Sequence, residues 1–174
     1  MLYQFADFKN NPYIQQALPP LNIVQPNWKT LAVSASREVD IPRERIWEAW
    51  TQLERWPQWS ALHTSARWLK GNQWQAGAQF EQTLNLGFPL GSMTMTETVG
   101  SITPGQRVSW WKDEKGVRSN HVWTFETLAD GRTRITNLEI FHGASIGLIK
   151  PLVARRWQRL FEDSVNRLIE QVQA

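Results

Sequence analysis

The stretch Ala35-Ser36-Arg37-Glu38-Val39-Asp40-Ile41-Pro42-Arg43-Glu44-Arg45-Ile46-Trp47-Glu48-Ala49-Trp50, closely followed by Trp56-Pro57-Gln58-Trp59, decides the fold. It begins as a short strand from Leu31 to Val39, which Asp40-Ile41-Pro42 stops. Pro42 suits the first turn of a helix, where its missing N–H costs nothing, and Asp40 is placed to cap it. The helix then runs through Ile46, Trp47, Ala49, Trp50 and Leu53, spaced for one apolar face. Pro57 ends or kinks the next helical segment, leaving a tight aromatic corner. The counterpart of this stretch lies at the far end. From Ile149 to Val172, the residues Ile149, Val153, Trp157, Leu160, Phe161, Ser164, Val165, Leu168 and Val172 fall on one stripe. Arg155, Arg159, Glu162, Asp163, Asn166 and Glu170 fall on the other, so the segment predicts an amphipathic helix of about six turns.

Between these ends the period changes to two. Ala66-Arg67-Trp68-Leu69 reads as a strand ending at the turn Gly71-Asn72. Residues 78–86 alternate Phe80, Gln82, Leu84 and Leu86 against Glu81, Thr83 and Asn85, and residues 92–99 set Met93, Met95, Glu97 and Val99 against threonines. A strand over 108–111 comes after the turn Thr103-Pro104-Gly105, and residues 112–116 read as its loop. Residues 118–127 place His121, Trp123 and Phe125 on one side. The hairpin signal Ala129-Asp130-Gly131 leads to 133–141, with Ile135, Asn137, Glu139 and Phe141 in phase. Consecutive strands with short links predict an antiparallel meander. Residues 143–147, Gly-Ala-Ser-Ile-Gly, read as a flexible loop that could gate a cavity.

A chain of 174 residues is long enough for one core without staples, and it contains no cysteine. That excludes disulfides, thiolate metal sites and a cysteine nucleophile. His63, His121 and His142 are too scattered for a zinc set, and the sequence asks for no metal or cofactor. The net charge of +3, spread out apart from Arg155, Arg156 and Arg159, is too slight for a nucleic-acid partner. No secretory signal is recognisable, and no apolar run approaches the roughly 20 residues of a membrane span, so a cytoplasmic protein that does not cross a membrane is expected. Eleven tryptophans are the compositional oddity; they fill a core or line a pocket for a flat, greasy ligand.

The order of elements resembles the SRPBCC superfamily, which includes START-type lipid carriers, plant allergen-like proteins and polyketide cyclases or aromatases. The resemblance rests on Ser36 to Trp47, the Trp56–Trp59 corner, Gly77-Ala78-Gln79-Phe80, Thr103-Pro104-Gly105-Gln106-Arg107-Val108, Trp123-Thr124-Phe125-Glu126 and Asp130 to Thr136, and covers 31–173. It implies an α+β helix-grip fold: a curved seven-stranded antiparallel sheet wrapped around the long C-terminal helix, with two short helices after the first strand and a deep apolar cavity. Residues 1–30 fall outside it as an N-terminal arm, apolar at Tyr3, Phe5, Phe8, Tyr13, Ile14 and Leu18, and 31–174 form the helix-grip domain. The arm is either a frayed leader or a segment packed on the domain or on a partner; the assembly left open is a homodimer.

With the apolar phase inward, the expected ligand-binding residues are Phe80, Gln82, Leu84, Met93, Met95, Trp110, Trp123, Phe125, Asn137, Phe141, Trp157 and Phe161. His121, Glu139 and Glu97 share that phase and are the candidate acid–base groups. His121 and Glu139 lie on strands joined by one hairpin, so a carboxylate could orient an imidazole there as a base near neutral pH. The plain alternatives are a structural histidine and two surface carboxylates. Three functions are compatible with this pattern: a binder or carrier of a small hydrophobic molecule (lipid, polyketide or aromatic metabolite), a cyclase, aromatase or dehydratase, or an interaction module like the co-chaperones built on this fold.

Overall fold

The computed structural model describes residues 27–88, 90–114 and 116–174. Strand β1 (Thr30–Val39) leads into helix α1 (Arg43–Trp50), a 3-10 turn (Leu53–Arg55) and helix α2 (Trp56–Trp59). Next come strands β2 (His63–Lys70), β3 (Gln79–Gly87), β4 (Gly91–Thr103), β5 (Arg107–Glu114), β6 (Val117–Thr127) and β7 (Thr133–His142), and helix α3 (Ala144–Gln173) is last. All seven strands form one antiparallel sheet in the order β1-β7-β6-β5-β4-β3-β2. This is the α+β helix-grip architecture. The N-terminal arm, apart from residues 27–30, lies outside the described residues.

The Asp130-Gly131 turn sets the register of β6 on β7. Gly131 takes the left-handed backbone (φ +86°) that the turn needs, and His121 then stands directly opposite Glu139. β4 bends where its register with β5 shifts between Val99 and Ile102, and the Ser101 N–H donates to Ser109 Oγ at 3.0 Å. An extra residue in one strand curves a sheet locally. Because the shift comes after Val99, residues Met93, Met95, Glu97 and Val99 keep one phase and face the concave side. Edge strand β1 is covered by α3. The Gln158 amide donates to the Ser34 carbonyl at 2.6 Å and accepts from the Ser34 N–H at 3.4 Å, standing in for a neighbouring strand.

Several boundaries differ from the sequence reading. Asp40 does not cap α1; the N-cap position is Pro42, whose carbonyl accepts from the N–H groups of Arg45 and Ile46. Residues 112–114 belong to β5 rather than to a loop, and β2 begins at His63. The expected gating loop is also absent, since 144–147 form the first turn of α3. Gly143, Gly147 and Pro151 disguise that turn. Ile146 is buried there, and Gly147 is needed because a side chain would run into the Trp28 ring.

The tryptophans fill one half of the concave side. Trp50 is wholly buried, with the rings of Trp47, Trp56, Trp74, Trp110, Trp123 and Phe125 at 4.6–6.0 Å. The Trp56 and Trp74 indoles donate to the carbonyls of Trp50 and Thr51, both at 2.7 Å. This cluster fastens α1 and α2 to β5 and β6. The C-terminal half of α3 seals the same end through Val165, Leu168 and Val172, and Arg45 donates to the Val172 carbonyl at 2.9 Å. No described helix is long and apolar enough to cross a membrane.

Candidate functional site

The other half of the concave side is left open. Between it and the N-terminal half of α3 lies a cavity of about 340 Å³. Leu84, Leu86, Met93 and Met95 form its wall on β3 and β4, while Ile146, Ile149, Leu160 and Phe161 roof it from α3. Phe141 and Trp157 pack against each other at 4.6 Å along one side.

The floor is polar. Pairing across β5, β6, β7 and β1 aligns Trp110, His121, Glu139 and Val33. His121 Nδ1 lies 3.2 Å from Glu139 Oε2, and His121 Nε2 lies 2.5 Å from Asn137 Oδ1. The imidazole is held between the rings of Trp110, at 4.3 Å, and Phe161, at 5.2 Å. Both nitrogens face oxygen acceptors, which an imidazolium satisfies on both sides; a neutral ring needs the Asn137 amide turned round. Either way, neither nitrogen is left over for a ligand. The pair is therefore preset by its own contacts, one of which must open before the imidazole can take a proton or meet a ligand.

A second polar chain runs beside it. Ser60 Oγ meets His63 Nδ1 at 2.7 Å, His63 Nε2 meets Gln82 Oε1 at 3.1 Å, and the Gln82 amide donates to Glu97 Oε1 at 3.1 Å. Burial, with the nearby His121 charge adding to it, lowers the His63 pKa to about 3, so this ring is neutral. Burial pushes the Glu97 carboxyl up to about 7; Glu139 raises it further, while Lys112, the Gln82 hydrogen bond and His121 hold it down. Glu97 Oε2 is buried without a hydrogen-bond partner. A protonated acid tolerates that position better than a carboxylate does. The Lys112 ammonium rests 2.8 Å from the Met95 sulfur, on the cavity wall.

Of the residues expected to bind a ligand, Gln82, Leu84, Met93, Met95, Phe141, Trp157 and Phe161 line the cavity, as do His121 and Glu139. Phe80, Trp110, Trp123 and Phe125 do not reach it; they belong to the aromatic cluster, because α1 and α2 occupy that half of the concave face. Asn137 and Glu97 sit behind the wall, bonded to His121 and Gln82. Trp157 is the sole tryptophan among the lining residues. Sequence reasoning missed His63, Lys112, Glu114 and Ile146, all of which line the cavity. A longer β2 and β5 would have found the first three, since Lys112 and Glu114 continue the phase of Val108 and Trp110. No group of three or more metal-ligating side chains occurs among the described residues.

A curved sheet closed on a long helix, with an apolar cavity floored by a few polar groups, defines a ligand-cavity protein of the SRPBCC superfamily. The chain belongs to the family described as polyketide cyclase/dehydrase and lipid transport, which it matches over residues 30–173. Among curated proteins, none matches it in sequence. Solved structures share its fold at low identity. A Thermus thermophilus protein is 18% identical, with a TM-score of 0.67 over 82% of this chain and 97% of its own. The Streptomyces aromatase/cyclase Zhui is 13% identical, with a TM-score of 0.63 over 83% and 94%. The protein Ara h 8.0201 is 13% identical, with a TM-score of 0.57 over 81% and 99%.

Proposed function

We propose that the chain binds and carries a small, mostly apolar molecule (a lipid, a polyketide or an aromatic metabolite) in the cavity between sheet and α3. Its polar end would lie at Gln82, His121 and Glu139. The observation that carries this reading is the cavity itself: about 340 Å³ stay open in a core otherwise packed with indoles. That volume falls within the range of about 300–1,000 Å³ usual for small-molecule sites, with apolar walls and a few polar groups fixing orientation. The family description, which joins cyclisation, dehydration and lipid transport, fits the same reading.

The cyclase, aromatase or dehydratase alternative is favoured by one observation, the His121–Glu139 pair at 3.2 Å on the cavity floor. It requires Asn137 to release Nε2 before the imidazole can act as a base. Native mass spectrometry of freshly purified protein tests the carrier reading. A co-purifying adduct, or saturable uptake of an apolar probe, is expected; bare protein that takes up no probe would overturn it. Separate His121→Gln and Glu139→Gln variants divide the two readings. A carrier changes in affinity alone, whereas an enzyme loses turnover while keeping its ligand.

A further inference from the structure

We infer that the mouth of the cavity docks on an anionic lipid surface. Three large apolar side chains within two residues or one helical turn of cavity-lining residues stand out into solvent: Phe88 is 92% exposed, and Leu148 and Leu152 are each 74% exposed. Leu148 and Leu152 are four residues apart and share one face of α3. Arg156 continues that ridge, and its Nε donates to the Leu86 carbonyl at 2.7 Å. It packs against Gly87 so closely that a side chain there would collide with the guanidinium. The turn bearing Phe88 is thus fastened to the helix one turn beyond Leu152. Leu86, Leu90 and Ile149, next to these residues in the chain, line the cavity, so the apolar surface continues inward.

The charge beside this patch selects the occupant. Arg155, Arg156 and Arg159 are exposed on α3, and none is paired with a carboxylate among the described residues. The nearest acidic residues along the helix are already engaged: Asp163 by Arg167, and Glu162 by Gln158. A second copy docked patch to patch would bring further arginines to this surface and no free carboxylate from the helix. Anionic headgroups neutralise them while Phe88, Leu148 and Leu152 enter the acyl boundary, the arrangement of an interfacial anchor. The proposed carrier role gives this docking its purpose, since cargo would pass between bilayer and cavity without crossing water; the docking is measured without cargo.

The test is co-sedimentation of the full chain with phosphatidylcholine vesicles, with and without phosphatidylglycerol. Binding to the mixed vesicles, weakened by salt, is expected. F88S/L148S/L152S should bind them more than about tenfold more weakly, and R155E/R159E should lose the preference for phosphatidylglycerol. All five side chains are exposed, so unchanged circular dichroism and unfolding temperature verify the fold. Three results would overturn the proposal: no binding to mixed vesicles, equal binding by the triple variant, or self-association that the triple variant abolishes with no vesicle binding. Apolar-probe uptake measured on the same samples separates the readings. Uptake without vesicle binding removes the docking alone, and vesicle binding without uptake removes the carrier role alone.

Discussion

Replacing Glu97 with glutamine removes a buried carboxyl while keeping its shape and its bond from Gln82. The folded state holds this carboxyl at about 7 against an ordinary value of 4.5. Below 4.5 the group is protonated whether the chain is folded or not, and the substitution should matter little. Between 4.5 and about 7 the unfolded chain ionises here and the folded one does not, so the contribution of Glu97 alone falls as pH rises, by about 1.4 kcal/mol per pH unit. Over that interval the loss approaches about 3 kcal/mol, and above it stays constant. His63 works in the opposite sense. Its folded value near 3, against 6.5 in the open chain, gives stability that is full above 6.5 and lost as pH falls towards 3. Where the two windows overlap, between 4.5 and 6.5, their slopes offset and these groups leave the wild type nearly flat. Glu97→Gln should uncover the His63 slope, so that the variant weakens with acid while gaining on the wild type by about 3 kcal/mol towards pH ~8. Urea unfolding of both proteins from pH ~4 to ~8 measures this. Two curves that stay parallel across the range would refute it.

The remaining predictions concern packing and coupling. Gln158→Leu strips the Ser34 N–H and C=O of their partner at the sheet edge and should cost about 2 kcal/mol, read as a lower urea midpoint. Trp50→Ala empties the centre of the aromatic cluster and should cost about 3–5 kcal/mol, with loss of the near-ultraviolet dichroism of the packed indoles. Lys112→Met removes the largest influence holding Glu97 down. The Glu97 titration, monitored by carboxyl NMR, should move above about 7; an unmoved midpoint would show that the ammonium does not reach it.

The fold was legible because its signals are local and agree with one another. Pro42 after a strand, the Asp130-Gly131 turn and the α3 stripe each rest on short-range stereochemistry, and together they leave one arrangement. The His121–Glu139 pairing was equally readable, because hairpin register is set by the turn. The extent of the cavity was not. Strand alternation says which residues face inward, but not which half of the concave side the short helices fill. Phe80, Trp110, Trp123 and Phe125 therefore look identical in sequence to Leu84 and Phe141, and only the packing of Trp50 and Trp56 separates them: Trp50 meets Trp110, Trp123 and Phe125, and Trp56 meets Phe80. The start of α3 was hidden by two glycines and a proline, which usually mark a loop, and here a buried Ile146 outweighs them.

The most direct measurement of the central claim is an NMR titration of protein carrying 13C-methyl methionine with naphthalene, a flat apolar probe. Met93 and Met95 both line the cavity wall. The account predicts that their methyl resonances move upfield, in a saturable way, as an aromatic guest fills the space between β4 and α3. Resonances that stay fixed up to the solubility limit of the probe would contradict it.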